Sequence, residues 1–232
     1  AERWPRRAAV LCEGACLTYG ELSLRIRRVA GALSRLGLRK GDRIALMMPN
    51  LLQYPICLYG ALRAGYTVVN CNPLYTEREL EHQLKDSGAE AIVILENFCT
   101  TLEQVVARTA VKHVVVASMG DMLGFPKGLI VNFVVRRVKK MVPAYSLPGH
   151  VKFVDAIDQG ARGKLTAVPL GPSDVAFLQY TGGTTGMPKG VLWRQEDVFY
   201  NGLGGNLPGF ERLDSEDKLR AHVSMGIGGR AL

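Results

Sequence analysis

Between Tyr180 and Val191 the sequence reads YTGGTTGMPKGV. Gly182, Gly183, Gly186 and Gly190 alternate there with Thr181, Thr184 and Thr185, and Met187 and Pro188 lead into Lys189. A glycine-rich turn that follows a buried strand lets backbone N–H groups converge on an anion, because no Cβ obstructs the approach. The threonine hydroxyls add donors, and the lysine adds a positive charge suited to phosphate. Pro188 stiffens the turn just before that charge. The chemistry this set of residues points to is a polyphosphate cradle. It is not the nucleotide-triphosphatase loop, since Lys189 is followed by Gly190 and not by a hydroxyl, and no three of its glycines have dinucleotide-fingerprint spacing. A plain surface hairpin is the alternative, and three threonines and a lysine among four glycines weigh against it.

The elements that would position this loop are legible as an alternation of helix and strand. LTYGELSLRIRRVAGALSRLG carries a capping box at Thr18 and Glu21, an apolar face at Leu22, Ile26, Val29, Leu33 and Leu36, and Gly37 past its end. DRIALMMPN reads as a buried strand. LLQYPICLYGALRAG reads as a helix that Pro55 either interrupts or marks in its first turn, and YTVVN as a strand. YTERELEHQLKDSG repeats the box at Thr76 and Glu79 and ends at Gly88. AEAIVIL, CTTLEQVVART and VKHVVVA continue as strand, helix and strand. The expected fold class is α/β, a mostly parallel sheet flanked by helices. DQGARGKLTAVPLGPSD reads as a loop or linker, VAFLQY as the strand that delivers the glycine-rich motif, VLW as a short strand after it and QEDVFYN as a helix. The segment from Met119 to Pro148 departs from the rhythm. Within it FPKGLIVNFVVRRVKKMVPAY is amphipathic if helical, with Ile130, Val131, Val134, Val135 and Val138 on one side and Asn132, Arg136, Lys139 and Lys140 on the other. The expectation is that its apolar side packs on the domain and its basic edge is solvated. Contact of residues 126–141 with an anionic membrane is the alternative.

The totals exclude several classes. At 232 residues and a formal net charge of +8 the chain can bury a substantial core. Residues 122–154 hold six basic side chains and no acidic one. No apolar run approaches the ~18 residues that would suggest a membrane span, and no signal-peptide pattern opens the sequence. Five cysteines, Cys12, Cys16, Cys57, Cys71 and Cys99, are odd in number and irregularly spaced, which reads as reduced thiols and neither zinc ligands nor a disulfide framework. The arginines of the first helix lack interleaved aromatics or a reading motif, so no nucleic-acid partner is expected. A cytoplasmic protein, soluble or peripheral on the inner membrane face, is the expectation.

The motif YTGGTTGMPKGV closely resembles the phosphate-binding signature of the adenylate-forming superfamily. LTYGEL, LGLRKGDRIALMMPNLLQYPICLYGALRAG, VVNCNPLYTERELEHQLKDSGA and DVAFLQYTGGTTG extend the resemblance to long-chain fatty-acyl-CoA synthetases over most of residues 15–191. After the loop, VLWRQEDVFYNGLGGNLPG stands where the long-chain branch usually has a Thr-His pair. That stretch looks more like another acyl-CoA synthetase branch, which includes enzymes acting on sterol side chains.

The resemblance implies activation of a fatty acid by ATP through an acyl-adenylate, followed by transfer to coenzyme A, with Mg2+ bridging the phosphates. It implies that Tyr180, Thr181, Gly182, Gly183, Thr184, Thr185, Gly186, Met187, Pro188, Lys189 and Gly190 hold the β- and γ-phosphates. It makes Thr181 the candidate magnesium neighbour and Lys189 the candidate catalytic charge. Residues 1–232 are then expected to be one incomplete N-terminal adenylation domain with the phosphate loop at 180–191, without the C-terminal lid domain, inactive by itself, and homodimeric in the parent protein. The alternatives are a non-catalytic nucleotide- or anion-binding module, and a basic membrane- or nucleic-acid-binding protein without chemistry.

Overall fold

The structure is a computed structural model that describes residues 2–12, 14–162, 167–183 and 186–204. The residues fall into two compact units, 1–195 and 196–232. The first opens with an antiparallel ribbon of β1 (Ala8–Cys12) and β2 (Ala15–Thr18). The sequence reading missed this ribbon, because its strands are short and only partly buried. Helix α1 (Tyr19–Leu33) follows with the expected capping box: the Thr18 backbone N–H donates to Glu21 Oε2 at 2.9 Å, and the Glu21 N–H donates to Thr18 Oγ1 at 3.3 Å. A 3-10 turn carries the chain to Gly37, whose φ of 76° is a left-handed conformation that favours a residue with no Cβ.

The remaining elements alternate as expected. They are β3 (Arg43–Met47), α2 (Gln53–Arg63), β4 (Thr67–Asn70), α3 (Glu77–Ser87), β5 (Ala91–Leu95), α4 (Cys99–Val105) and β6 (His113–Ala117). Pro55 stands in the first turn of α2, where its missing N–H has no intrahelical partner to lose. The box at Thr76 and Glu79 starts α3, and Gly88 ends it with φ 62°.

After β6 come α5 (Lys127–Phe133), a π-helical turn at Val134–Val138, β7 (Val151–Lys152), α6 (Phe153–Ala161), β8 (Val175–Gly183) and β9 (Gly186–Arg194). Seven strands form one sheet in the order β7-β6-β5-β3-β4-β8-β9, parallel except for the last pair. The inner strands are buried on both faces, which is why they read as continuous apolar runs and not as alternation. Successive side chains still divide between two cores. Ile44, Leu46, Val68, Val93 and Val115 pack under α1, α2 and α6. Ala45, Met47, Val69, Ile92, Ile94 and Val116 pack under α3 and α4. The last four residues of helix α6, from Asp158 to Ala161, lie in the stretch read as a loop. The helix crosses α1 so closely that a Cβ on Gly160 would overlap the Arg28 carbonyl. Helix α7 (Gln195–Gly204) begins at the last residue of the first unit, and its remainder is the described part of the second.

The segment that broke the rhythm is helical, but its faces divide only in part as expected: Lys139 and Lys140 are exposed and Val131 and Val134 are half-buried, while other positions depart from the reading. Asn132 and Arg136 turn into the domain, Val135 is buried, and Ile130 and Val138 are exposed. The reason is a buried acid: Glu96, 3% exposed, lies beneath the helix and pairs with Arg136. Pairing the buried Glu96 with the half-exposed Arg136 outranks burial of one more apolar side chain, because Glu96 without its cation would leave an uncompensated charge.

Candidate functional site

Strand β8 does not stop where the glycines begin. Its pairing with β9 runs from Val175↔Arg194 through Tyr180↔Gly190 and Thr181↔Lys189 to Gly183↔Gly186. The short strand expected at VLW, residues 191–193, therefore begins at Gly186, because the backbone of the motif closes hydrogen bonds on itself as an antiparallel hairpin. Its register shifts between Thr181 and Gly183. An irregularity of that kind re-aims backbone groups and is common beside functional sites. Thr184 and Thr185, between the two strands, lie outside the described residues. The pairing makes Thr181 and Lys189 cross-strand partners, and the Lys189 side chain is exposed.

The root of the hairpin is held against α3 from both strands. On β8, the Tyr180 hydroxyl donates to Asp86 Oδ2 at 2.6 Å, and the ring is 7% exposed. Burial, and after it the Asp86 carboxylate, push the Tyr180 phenol far above its ordinary range, so it stays a donor at every physiological pH. On β9, the Pro188 carbonyl, which can only accept, lies 3.3 Å from His82 Nε2. Gly190 sits flat on the tyrosine ring: a Cβ there would stand 3.1 Å from Tyr180 Cζ. These contacts explain Tyr180, Pro188 and Gly190 by packing.

A second set of contacts lies one strand over. Asn70 ends β4 directly beside Gln179, and its Nδ2 donates to Gln179 Oε1 at 3.1 Å. The Tyr54 hydroxyl donates to Asn70 Oδ1 at 2.9 Å, and Gln83 Nε2 to the Asn70 carbonyl at 2.8 Å. Helices α2 and α3 are thus tied to the residue that precedes Tyr180. Sequence reasoning missed Tyr54, Asn70, His82, Gln83 and Asp86 in this supporting role. The one available signal was the spacing of His82 and Asp86, four residues apart on a helix and so on one face.

The loop leaves the sheet at the carboxyl ends of the parallel strands, the edge at which open α/β sheets bind ligands. The same edge holds a cavity of about 560 Å³ further along, where Glu96, Ser118, Asp121 and Arg136 follow β5 and β6. Burial raises the Asp121 carboxyl there, against hydrogen bonds from Ser118 and Asn132. Among the described residues, no group of three or more His, Cys, Asp or Glu side chains stands together to hold a metal. None of the described helices is long and apolar enough to cross a membrane.

With that geometry in hand, comparison with known proteins is informative. The sequence pattern of the AMP-binding enzyme family matches residues 1–227. A long-chain-fatty-acid--CoA ligase of Escherichia coli O6:H1 is 53% identical over 200 residues, covering 86% of this chain and 36% of that protein. Among solved structures, a long-chain-fatty-acid-CoA ligase from Archaeoglobus fulgidus superposes with a TM-score of 0.62 at 28% identity, over 86% of this chain and 34% of the other. An anthranilate CoA ligase in complex with anthranoyl-AMP superposes with a TM-score of 0.71 over 90% of this chain and 36% of the other, and at 22% identity that likeness concerns the fold. The chain spans about 36% of the length of the curated relatives it matches.

Proposed function

Because the chain belongs to the AMP-binding enzyme family, we propose that the protein carrying it is an ATP-dependent fatty acid–CoA ligase. A fatty carboxylate oxygen attacks the α-phosphorus of ATP, forming the acyl-adenylate and releasing pyrophosphate. The coenzyme A thiol then takes the acyl group and AMP leaves. The observation that carries the reading is the 53% identity to a long-chain-fatty-acid--CoA ligase over 86% of the chain, which includes the glycine-rich hairpin.

In this proposal the hairpin binds the β- and γ-phosphates through backbone N–H groups, and Lys189 offsets their charge as it moves to the leaving group. Such donors act best when they are held in place beforehand. The contacts of Tyr180 with Asp86 and of Pro188 with His82 support that role by fixing the root of the loop. Magnesium would be held chiefly by the phosphates, with the Thr181 hydroxyl as its protein neighbour. It would supply charge neutralisation on the polyphosphate. In this proposal the protein works in the cytoplasm, soluble or peripheral on the inner membrane face.

The test is to supply the complete purified protein with ATP, magnesium, coenzyme A and fatty acids of graded length. Acyl-CoA formation that depends on all four supports the proposal. ATP binding with no pyrophosphate release on any of the acids would replace the ligase by a nucleotide-binding module. Turnover of a sterol side-chain acid in preference to every fatty acid would move the substrate class.

A further inference from the structure

Helix α3 is the platform against which the glycine-rich hairpin rests, and the domain fixes it from the other side. Leu80 and Leu84 are buried in the core beneath it, and Gln83, equally buried, donates to the Asn70 carbonyl at 2.8 Å. The capping box at Thr76 and Glu79 fixes its start. His82 and Asp86, one turn apart, leave this platform on one face. Asp86 takes the strand before the glycines, through Tyr180, and His82 takes the strand after them, through Pro188.

The two holds control different things. At Tyr180 a side chain is held, and at Pro188 it is the main chain. The Pro188 carbonyl and the Lys189 N–H share one planar peptide group. The proline ring locks φ at about −65°, so ψ of Pro188 is the soft angle that aims this plane and, with it, the Lys189 Cα. The β8–β9 ladder guides that angle poorly. Its register shifts between Thr181 and Gly183, across from Met187 and Pro188, and a proline has no N–H to give to a ladder. The Pro188 carbonyl meets His82 Nε2 at 3.3 Å, and since a carbonyl only accepts, Nε2 carries the hydrogen. Pro188 is buried and Lys189 beside it is exposed, as neighbours on opposite faces of a strand should be. The imidazole therefore stands on the face away from the Lys189 side chain and acts on it through the backbone.

We infer that His82 is a positioning residue for Lys189: by holding the Pro188 carbonyl it sets where the Lys189 charge meets the β- and γ-phosphates. The role toward phosphate rests on the ligase reading, whereas the tether rests on the hairpin alone. Two measurements on the complete protein keep these apart. One is fatty-acid-dependent exchange of labelled pyrophosphate into ATP, and the other is hydrogen exchange of the hairpin, residues 180–190, followed by mass spectrometry without ATP. His82→Leu keeps bulk and removes the donor, and should lower kcat/KM for MgATP about tenfold, less than the ~100-fold that a full misplacement can cost. His82→Gln, whose Nε2 can donate, should regain most of that loss. His82→Asn is too short to reach and should behave as His82→Leu, which covers the case in which leucine disturbs the packing. In a Lys189→Ala background His82→Leu should cost less than about twofold, because the charge it aims is gone. Hairpin amides should exchange faster in His82→Leu and at the wild-type rate in His82→Gln. His82 is half-buried, so circular dichroism should be unchanged in every variant.

Equal losses with and without Lys189 would overturn the inference, since a residue that only supports the fold lowers both backgrounds alike. So would wild-type kinetics in both His82→Leu and His82→Asn, or hairpin exchange that neither changes. If the wild type shows no pyrophosphate exchange, the ligase reading fails, and hydrogen exchange alone then upholds or overturns the tether.

Discussion

Replacing Tyr180 by Phe isolates one of the two contacts that join the glycine-rich hairpin to α3. The ring is kept, so packing on Gly190 and the surrounding core is unchanged, and only the hydroxyl that donates to Asp86 at 2.6 Å is lost. Hydrogen bonds to charged acceptors contribute about 1.5–3 kcal/mol. Asp86 is exposed and regains water when the partner is removed, which sets the expectation at the lower end, about 1.5 kcal/mol. For a chain of 232 residues this corresponds to a drop in Tm of about 3–6 °C. In a urea-denaturation cycle with Asp86→Ala, the coupling energy should be about 1 kcal/mol. The pH dependence gives an independent readout. The Tyr180 phenol is raised above its ordinary value of 10.0, so the folded state keeps a proton that the unfolded state loses. That contribution is fully present below pH 10 and is lost as pH rises from there toward the folded value. Wild type should therefore lose stability above pH 10 more steeply than the Phe variant. If the two substitutions are additive within about 0.3 kcal/mol and the alkaline limbs coincide, the hairpin is not anchored in this way.

Further consequences follow from packing and capping. Gly160→Ala drives a methyl into the Arg28 carbonyl of α1 and should destabilise by about 3 kcal/mol, measured by thermal unfolding. Thr76→Ala removes the hydroxyl half of the α3 capping box and should cost about 1 kcal/mol in urea melts. Of the five cysteines, Cys57, Cys71 and Cys99 are buried, and burial pushes Cys71 and Cys99 up to about 12. Ellman's reagent should therefore titrate only Cys12 and Cys16 rapidly in the native protein, and all five in denaturant.

The sequence disclosed most where one local rule acts alone. Both capping boxes, the glycine stops at Gly37 and Gly88, and the buried strands β3 to β6 stand as read, because hydroxyl caps, left-handed glycines and apolar runs are decided within a few residues. It disclosed least where a distant partner decides. Arg136 turns inward because Glu96, forty positions before it, is buried beneath the helix, and helix periodicity carries no trace of that acid. The end of helix α6 was hidden by its glycine, an unfavourable helix residue that is nevertheless needed where α6 meets α1. The residue types of the glycine-rich motif suggest a phosphate cradle, which stays a proposal. Its closure into a hairpin was not legible, since glycine and threonine permit both an open turn and a paired ladder.

The central claim is that the hairpin serves adenylation, and fatty-acid-dependent exchange of labelled pyrophosphate into ATP, without coenzyme A, tests it most directly. That assay reports the first half-reaction alone. Wild-type complete protein should exchange, and Lys189→Ala should lower kcat/KM for MgATP on the order of a hundredfold, the usual scale for one preplaced charge or donor at a developing anion. Its melting temperature should be unchanged, because the Lys189 side chain is exposed. Exchange by Lys189→Ala at the wild-type rate, or wild-type exchange that does not depend on fatty acid, would contradict the account.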